Sequence, residues 1–207
     1  MTYLAKIISW VFHPLLMATY GIILALFNTY LLFLPTSMKL LVIGGVFFIS
    51  AFLPASLILF LIKSGAAKDT ELTDRNERAV PYLIIIASII LCIFFLYRLM
   101  VPFWLLSVLG GGCVALILAV SINFYWKISA HAIGIGILTG GVMGISQIQA
   151  FNPYIAFMLL FLIAGALCTS RIYLNKHTPM QTYTGFCLGF ACPFISSIWS
   201  YNHFFIK

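Results

Sequence analysis

The amino-acid sequence predicts an all-α membrane protein, a helical bundle of six or seven transmembrane helices. Three observations lead there. Of the 207 residues, 63% are hydrophobic and only 7% are charged, whereas a soluble domain carries roughly 25% charged residues. The apolar residues gather in runs close to the roughly 20 residues that a helix needs to cross the hydrocarbon core. Those runs also lack the strict alternation that the strands of a membrane barrel require. The length fits one integral membrane domain over 1–207, with no room for a separate soluble domain.

Seven apolar segments follow in order, at about 8–34, 40–62, 81–97, 101–122, 131–149, 153–169 and 182–199. The first is interrupted only by His13 and Pro14 and is too long for the core of a signal peptide, so it reads as a retained span. Between the second and third lies the longest polar segment, residues 63–83, which holds all four acidic residues, Asp69, Glu71, Asp74 and Glu77. Pro81 then suits the first turn of the third span, where its missing N–H costs nothing. The third and fourth segments are joined tightly through "YRLMVP". Gly134, Gly136, Gly140 and Gly141 in the fifth suit close helix packing in a membrane. The seventh is short enough for a re-entrant segment, which keeps six spans as the alternative. The five cysteines, Cys92, Cys113, Cys168, Cys187 and Cys192, all fall in apolar runs without zinc or disulfide spacing and read as packing residues.

With this order of spans, the 63–80 loop, "FYWKISAH" (124–131) and "SRIYLNKHTPMQ" (170–181) all emerge on one membrane face, together with the N-terminus. That face carries Lys6, Lys63, Lys68, Arg75, Arg78, Lys127, Arg171 and Lys176, and the other carries Lys39, Arg98 and Lys207. The positive-inside rule points the richer face to the cytoplasm, here of a bacterial inner membrane. No basic block suggests nucleic acid; the expected partners are membrane lipids and an anionic lipid substrate.

Charges at a bilayer are costly unless solvated, paired or engaged with a ligand. Arginine suits multidentate phosphate recognition. "SAH" opens the fifth span, where free N–H groups and the helix dipole favour an anion. Of two imidazoles beside such a site, His177 and His131, one can attack phosphorus while the other protonates the leaving oxygen, without a metal or other cofactor. His13, at the start of the first span on the same face, is open to joining the site but reads first as an interfacial histidine, and His203 in the tail reads as incidental.

These residues carry a resemblance to the type-2 phosphatidic acid phosphatase superfamily. "SRIYLNKHTPMQ" resembles its third signature, Ser-Arg, five residues, His, three residues, Asp. "ISAH" resembles the second, Pro-Ser-Gly-His, and "KDTELTDRN" (68–76) the first, Lys, six residues, Arg-Pro. The order matches, and the phosphatase-like core covers about 60–200. The resemblance implies a metal-independent lipid phosphatase in which His177 becomes phosphorylated and His131 serves the leaving group. Lys68, Arg75 and Arg171 would hold phosphate, with Arg78 a rival to Arg75, and Ser129 and Ala130 would add hydrogen bonds through side chain and backbone.

The chain departs from the family pattern at Asn76, Ile128 and Ala130, and above all at Gln181, where the family has the Asp that orients the nucleophilic histidine. Removing the orienting acid of a Ser-His-Asp enzyme costs about 10⁴-fold. Gln181 also has a structural reading, since Thr178-Pro179-Met180-Gln181 forms a capping box with Pro at the first helical position. Two other functions stay open: a phosphatase scaffold that binds lipid phosphate without turning it over, and a magnesium-dependent intramembrane prenyltransferase. The prenyltransferase needs a second acidic motif, and no Asp or Glu lies outside 69–77. Phosphatidic acid, phosphatidylglycerol phosphate, polyprenyl diphosphate and lipid A phosphate are all open as substrates.

Overall fold

The computed structural model describes residues 2–64, 79–149 and 152–205, and its regular structure is entirely helical among them. The first two apolar segments are broken rods. In the first, α1 (Thr2–Val11) gives way at His13 and Pro14 to a 3-10 turn (Pro14–Leu16), and α2 (Met17–Asn28) follows. The break is local chemistry: a residue before proline is pushed out of the helical region, and His13 sits at φ −66°, ψ 138°. In the second, α3 (Thr36–Phe47) continues into α4 (Leu53–Lys63) through a five-residue π turn, Phe48–Phe52. Pro54 lies just beyond that turn and has no N–H for the carbonyl four residues back, a common cause of such an adjustment.

The later segments are α5 (Ala79–Arg98), α6 (Phe103–Tyr125), α7 (Ala130–Ile148), α8 (Tyr154–Tyr173) and α9 (Pro179–Phe205). Pro81 stands in the first turn of α5, as expected. Among the described residues, six helical rods are long and apolar enough to cross a membrane. Apart from the enclosed fifth rod, the surface they present is one of exposed Leu, Ile, Phe and Tyr, which water would not tolerate and lipid does.

The seventh segment is a single helix of 27 residues rather than a re-entrant loop. At 1.5 Å per residue it is about 40 Å long. It is less apolar than the other six and is packed along α7 and α6. α7 is the most enclosed of the six spans and has α2, α6, α8 and α9 around it. α7 and α9 run parallel and close. A Cβ built on Gly136 would lie 2.5 Å from the Phe186 carbonyl oxygen, one on Gly140 would overlap the Phe190 carbonyl, and one on Gly189 the Ile133 carbonyl. Small residues at four-residue spacing on both helices let the backbones touch, the usual device where lipid offers no hydrophobic driving force between helices. Because α7 and α9 begin side by side, the Ser129 N–H donates to the Gln181 carbonyl at 3.3 Å. The two later polar segments of the sequence therefore meet.

Candidate functional site

α8 ends in a Schellman motif. Asn175 takes the left-handed conformation (φ 54°), the Asn175 N–H bonds the Ile172 carbonyl at 2.9 Å, and the Lys176 N–H bonds the Arg171 carbonyl at 3.1 Å. The His177 N–H also reaches the Arg171 carbonyl, at 3.4 Å. The turn folds the chain back so that the histidine six residues after the arginine returns to it. Both side chains are buried, Arg171 at 5% and His177 at 8% exposure.

Directly after His177 comes the capping box. The Gln181 N–H donates to Thr178 Oγ1 at 3.4 Å, and the Thr178 N–H donates to Gln181 Oε1 at 3.1 Å. A backbone N–H only donates, so the amide atom it meets is the oxygen. That same oxygen lies 3.1 Å from His177 Nδ1. Nδ1 therefore carries the proton, and the neutral imidazole keeps its lone pair on Nε2. One oxygen of Gln181 thus meets both the first turn of α9 and the His177 ring.

At the start of α7, Ser129 is fully buried and its hydroxyl accepts from the Ala132 N–H at 3.4 Å as the N-cap. With its N–H given to Gln181, Ser129 ties α7 to α9, and Ala130 is the neighbour that reaches the cavity wall. His131 Nε2 lies 3.2 Å from the Ser9 carbonyl of α1. A carbonyl only accepts, so Nε2 bears the proton. The His131 ring meets His13 edge to face, with centroids 5.4 Å apart and planes at 82°. His13 in turn accepts the Leu15 N–H on Nδ1 at 3.4 Å.

His13, His131, Arg171 and His177 line one end of a cavity of about 1030 Å³, at the upper end of the roughly 300–1,000 Å³ of small-molecule sites. Lys6 also lines it, and the remaining walls are largely apolar side chains of the first span, such as Trp10 and Leu15, and of α3 to α6, among them Phe47, Ile89 and Leu109. Of the residues singled out in the sequence, His131, His177, Arg171, Gln181, Ser129 and Ala130 come together here. Lys68, Arg75 and Arg78 lie outside the described residues, as do the four carboxylates. Sequence reasoning placed His13 on this face and preferred the interfacial reading to membership of the site, and it missed Ser9; the His-Pro interruption in the first apolar run was the available signal. His203 stacks on Trp199 in α9, at the end of that helix remote from the cluster. All five thiols are free. Among the described residues no three His, Cys, Asp or Glu side chains form a group able to hold a metal ion. No family model matches the chain, and no match to it is found among curated proteins or solved structures.

Proposed function

We propose that this protein hydrolyses a lipid phosphate through a phosphohistidine at His177. The observation that carries the reading is the cavity itself: imidazoles and a buried guanidinium at one end, and hydrocarbon-like walls along the rest. That is the polarity of a phosphate joined to an acyl or isoprenoid chain. In the proposed reaction, His177 Nε2 attacks phosphorus, forming a P–N bond as the P–O bond to the lipid breaks. The lipid oxygen takes a proton from an imidazolium; since His131 has its Nε2–H on the Ser9 carbonyl, the proton would come from Nδ1. Water then attacks the phosphohistidine, giving a proton to the now neutral His131 Nδ1 as the P–N bond breaks and inorganic phosphate leaves. Arg171 supplies charge for the transferring phosphoryl group. The leaving group, an alcohol from phosphatidic acid, phosphatidylglycerol phosphate or lipid A phosphate, or a polyprenyl monophosphate from a polyprenyl diphosphate, is left to assay.

One observation favours a second reading, a protein that binds lipid phosphate without hydrolysis. Gln181 is neutral and already accepts from two donors, so it offers no charge to an imidazolium. Phosphate release from a panel of lipid phosphates with chelator present decides between them. The expected result is release that disappears in His177→Ala and rises about tenfold or more in Gln181→Asp, as a restored orienting charge requires. No release from any substrate, even in Gln181→Asp, leaves binding alone. The excess of cations on the site face supports a cytoplasmic orientation in a bacterial inner membrane. Labelling of Ser64→Cys by an impermeant thiol reagent in intact cells would reverse that orientation.

A further inference from the structure

The first span meets the histidine cluster in a way that capping and packing do not account for. Serines in the spans of this protein return their hydroxyls to their own helix: Ser88 to the Ile84 carbonyl at 2.9 Å, Ser121 to Ile117 at 3.1 Å and Ser170 to Ala166 at 2.7 Å. Ser9 and Ser50 do not. Both are buried, at 6% and 2% exposure, and neither hydroxyl meets a hydrogen-bond partner among the described residues. Both line the cavity. Thr19 and Ser200 share the lack but lie away from the cavity. A buried hydroxyl left unbonded costs roughly 1–3 kcal/mol, so two of them on one cavity wall mark where an acceptor is expected.

His13 stands beside them. The π turn that carries Ser50 packs against the Pro14–Leu16 turn, and Ser9 lies one helical turn before His13. The Leu15 N–H occupies His13 Nδ1, so the neutral ring presents its proton on Nε2. The ring lines the same cavity as Arg171 and His177. His13, Ser9 and Ser50, each with a hydrogen-bond donor to give, thus belong to the cavity wall on the side made by the first two spans. They are neutral and set in an apolar wall. That suits ester or phosphoryl oxygen on the hydrocarbon side of a head group, while Arg171 meets its charge.

We propose that the first two spans complete the head-group site: His13 Nε2–H, with the Ser9 and Ser50 hydroxyls, donates to the oxygens of a bound alkyl or prenyl phosphate. The proposal rests on the reading above for the nature of the ligand, but not on turnover.

The test is calorimetric titration of the full chain in detergent micelles with decyl phosphate, using decanol as the control for chain partition. His13→Asn keeps an oxygen that caps the Leu15 N–H and removes the imidazole donor. It is expected to weaken decyl phosphate binding about tenfold or more, the effect of one hydrogen bond to a charged group, while the capped turn keeps the thermal midpoint close to wild type. His203→Asn is expected to bind as wild type does. The Ser9→Ala/Ser50→Ala double variant leaves the cap untouched and is expected to lose affinity severalfold, so the proposal stays testable even where His13→Asn fails to fold. Wild-type affinity in both His13→Asn and the double variant overturns it, and so does a wild-type protein that binds decyl phosphate no better than decanol. Phosphate release on the same preparations separates the two ideas. Release with binding indifferent to His13 and the serines leaves the hydrolase and sinks this inference. Binding that depends on them without release does the reverse.

Discussion

Gln181 serves two neighbours with one oxygen. It accepts the Thr178 N–H to close the capping box and the His177 Nδ1–H to set the tautomer. The two duties can be separated, because a carboxylate at this position still completes a capping box and adds the missing charge. Gln181→Glu is therefore expected to hold the thermal midpoint within a degree or two of wild type while raising phosphate release. Gln181→Met loses both contacts. It is expected to cost about 1 kcal/mol of stability from the cap and to abolish release, because the His177 ring loses the bond that sets its tautomer. Equal release from the Met and wild-type proteins would show that the orienting bond is idle. Arg171→Lys retains the charge but not the planar fork, and a fall in affinity for decyl phosphate measured by titration is the expected outcome.

The α8–α9 turn shows how local rules place a site. Asn175 holds the left-handed position that a Schellman motif demands, which Asn tolerates and a β-branched residue does not. Asn175→Gly is expected to be neutral or mildly stabilising. Asn175→Val is expected to cost about 1–3 kcal/mol and, because the turn returns His177 to Arg171, to reduce phosphate release beyond what lost folding explains. Thermal midpoint and specific activity, measured on the folded fraction, check this together. Between α7 and α9 the controlling contact is backbone against backbone. Gly140→Leu would drive a side chain into the Phe190 carbonyl, and the expected outcome is loss of folded protein in detergent gel filtration. Gly165→Leu, on the open face of α8 where a Cβ meets nothing, is the tolerated control.

Across the whole molecule the cavity belongs to no single element. Its polar end comes from the first span, α7, the end of α8 and the turn that follows, and its apolar walls from the first span and α3 to α6. Filling the apolar part should therefore act on the chain of a ligand and spare its head. Ala55→Phe, on the α4 wall, is expected to weaken binding of long-chain alkyl phosphates severalfold while leaving butyl phosphate unchanged, as titration across a chain-length series would read. Equal weakening across the series would mean that the chain lies outside the bundle.

Composition and apolar runs sufficed for the helical membrane bundle. Burial in lipid demands long apolar helices, and hydropathy reports that directly. Short-range rules sufficed for the capping box at 178–181, Pro81 in the first turn of α5 and the glycine packing of α7, because each depends on residues within a turn or two. The parity of the spans was enough to bring "ISAH" and "SRIYLNKHTPMQ" to one face. Only the tertiary structure decided that the seventh segment is a full helix, since α9 gains from backbone contact with α7 what it lacks in apolarity. It also decided that His13 and Ser9 belong with His131. Those residues lie more than 100 positions apart in sequence, and nothing in the hydropathy of the first span distinguishes a histidine facing headgroups from one facing a cavity. That depends on how α1 and α2 are set against α8 and α7, which is fixed by packing between helices and not by any property of the segment itself.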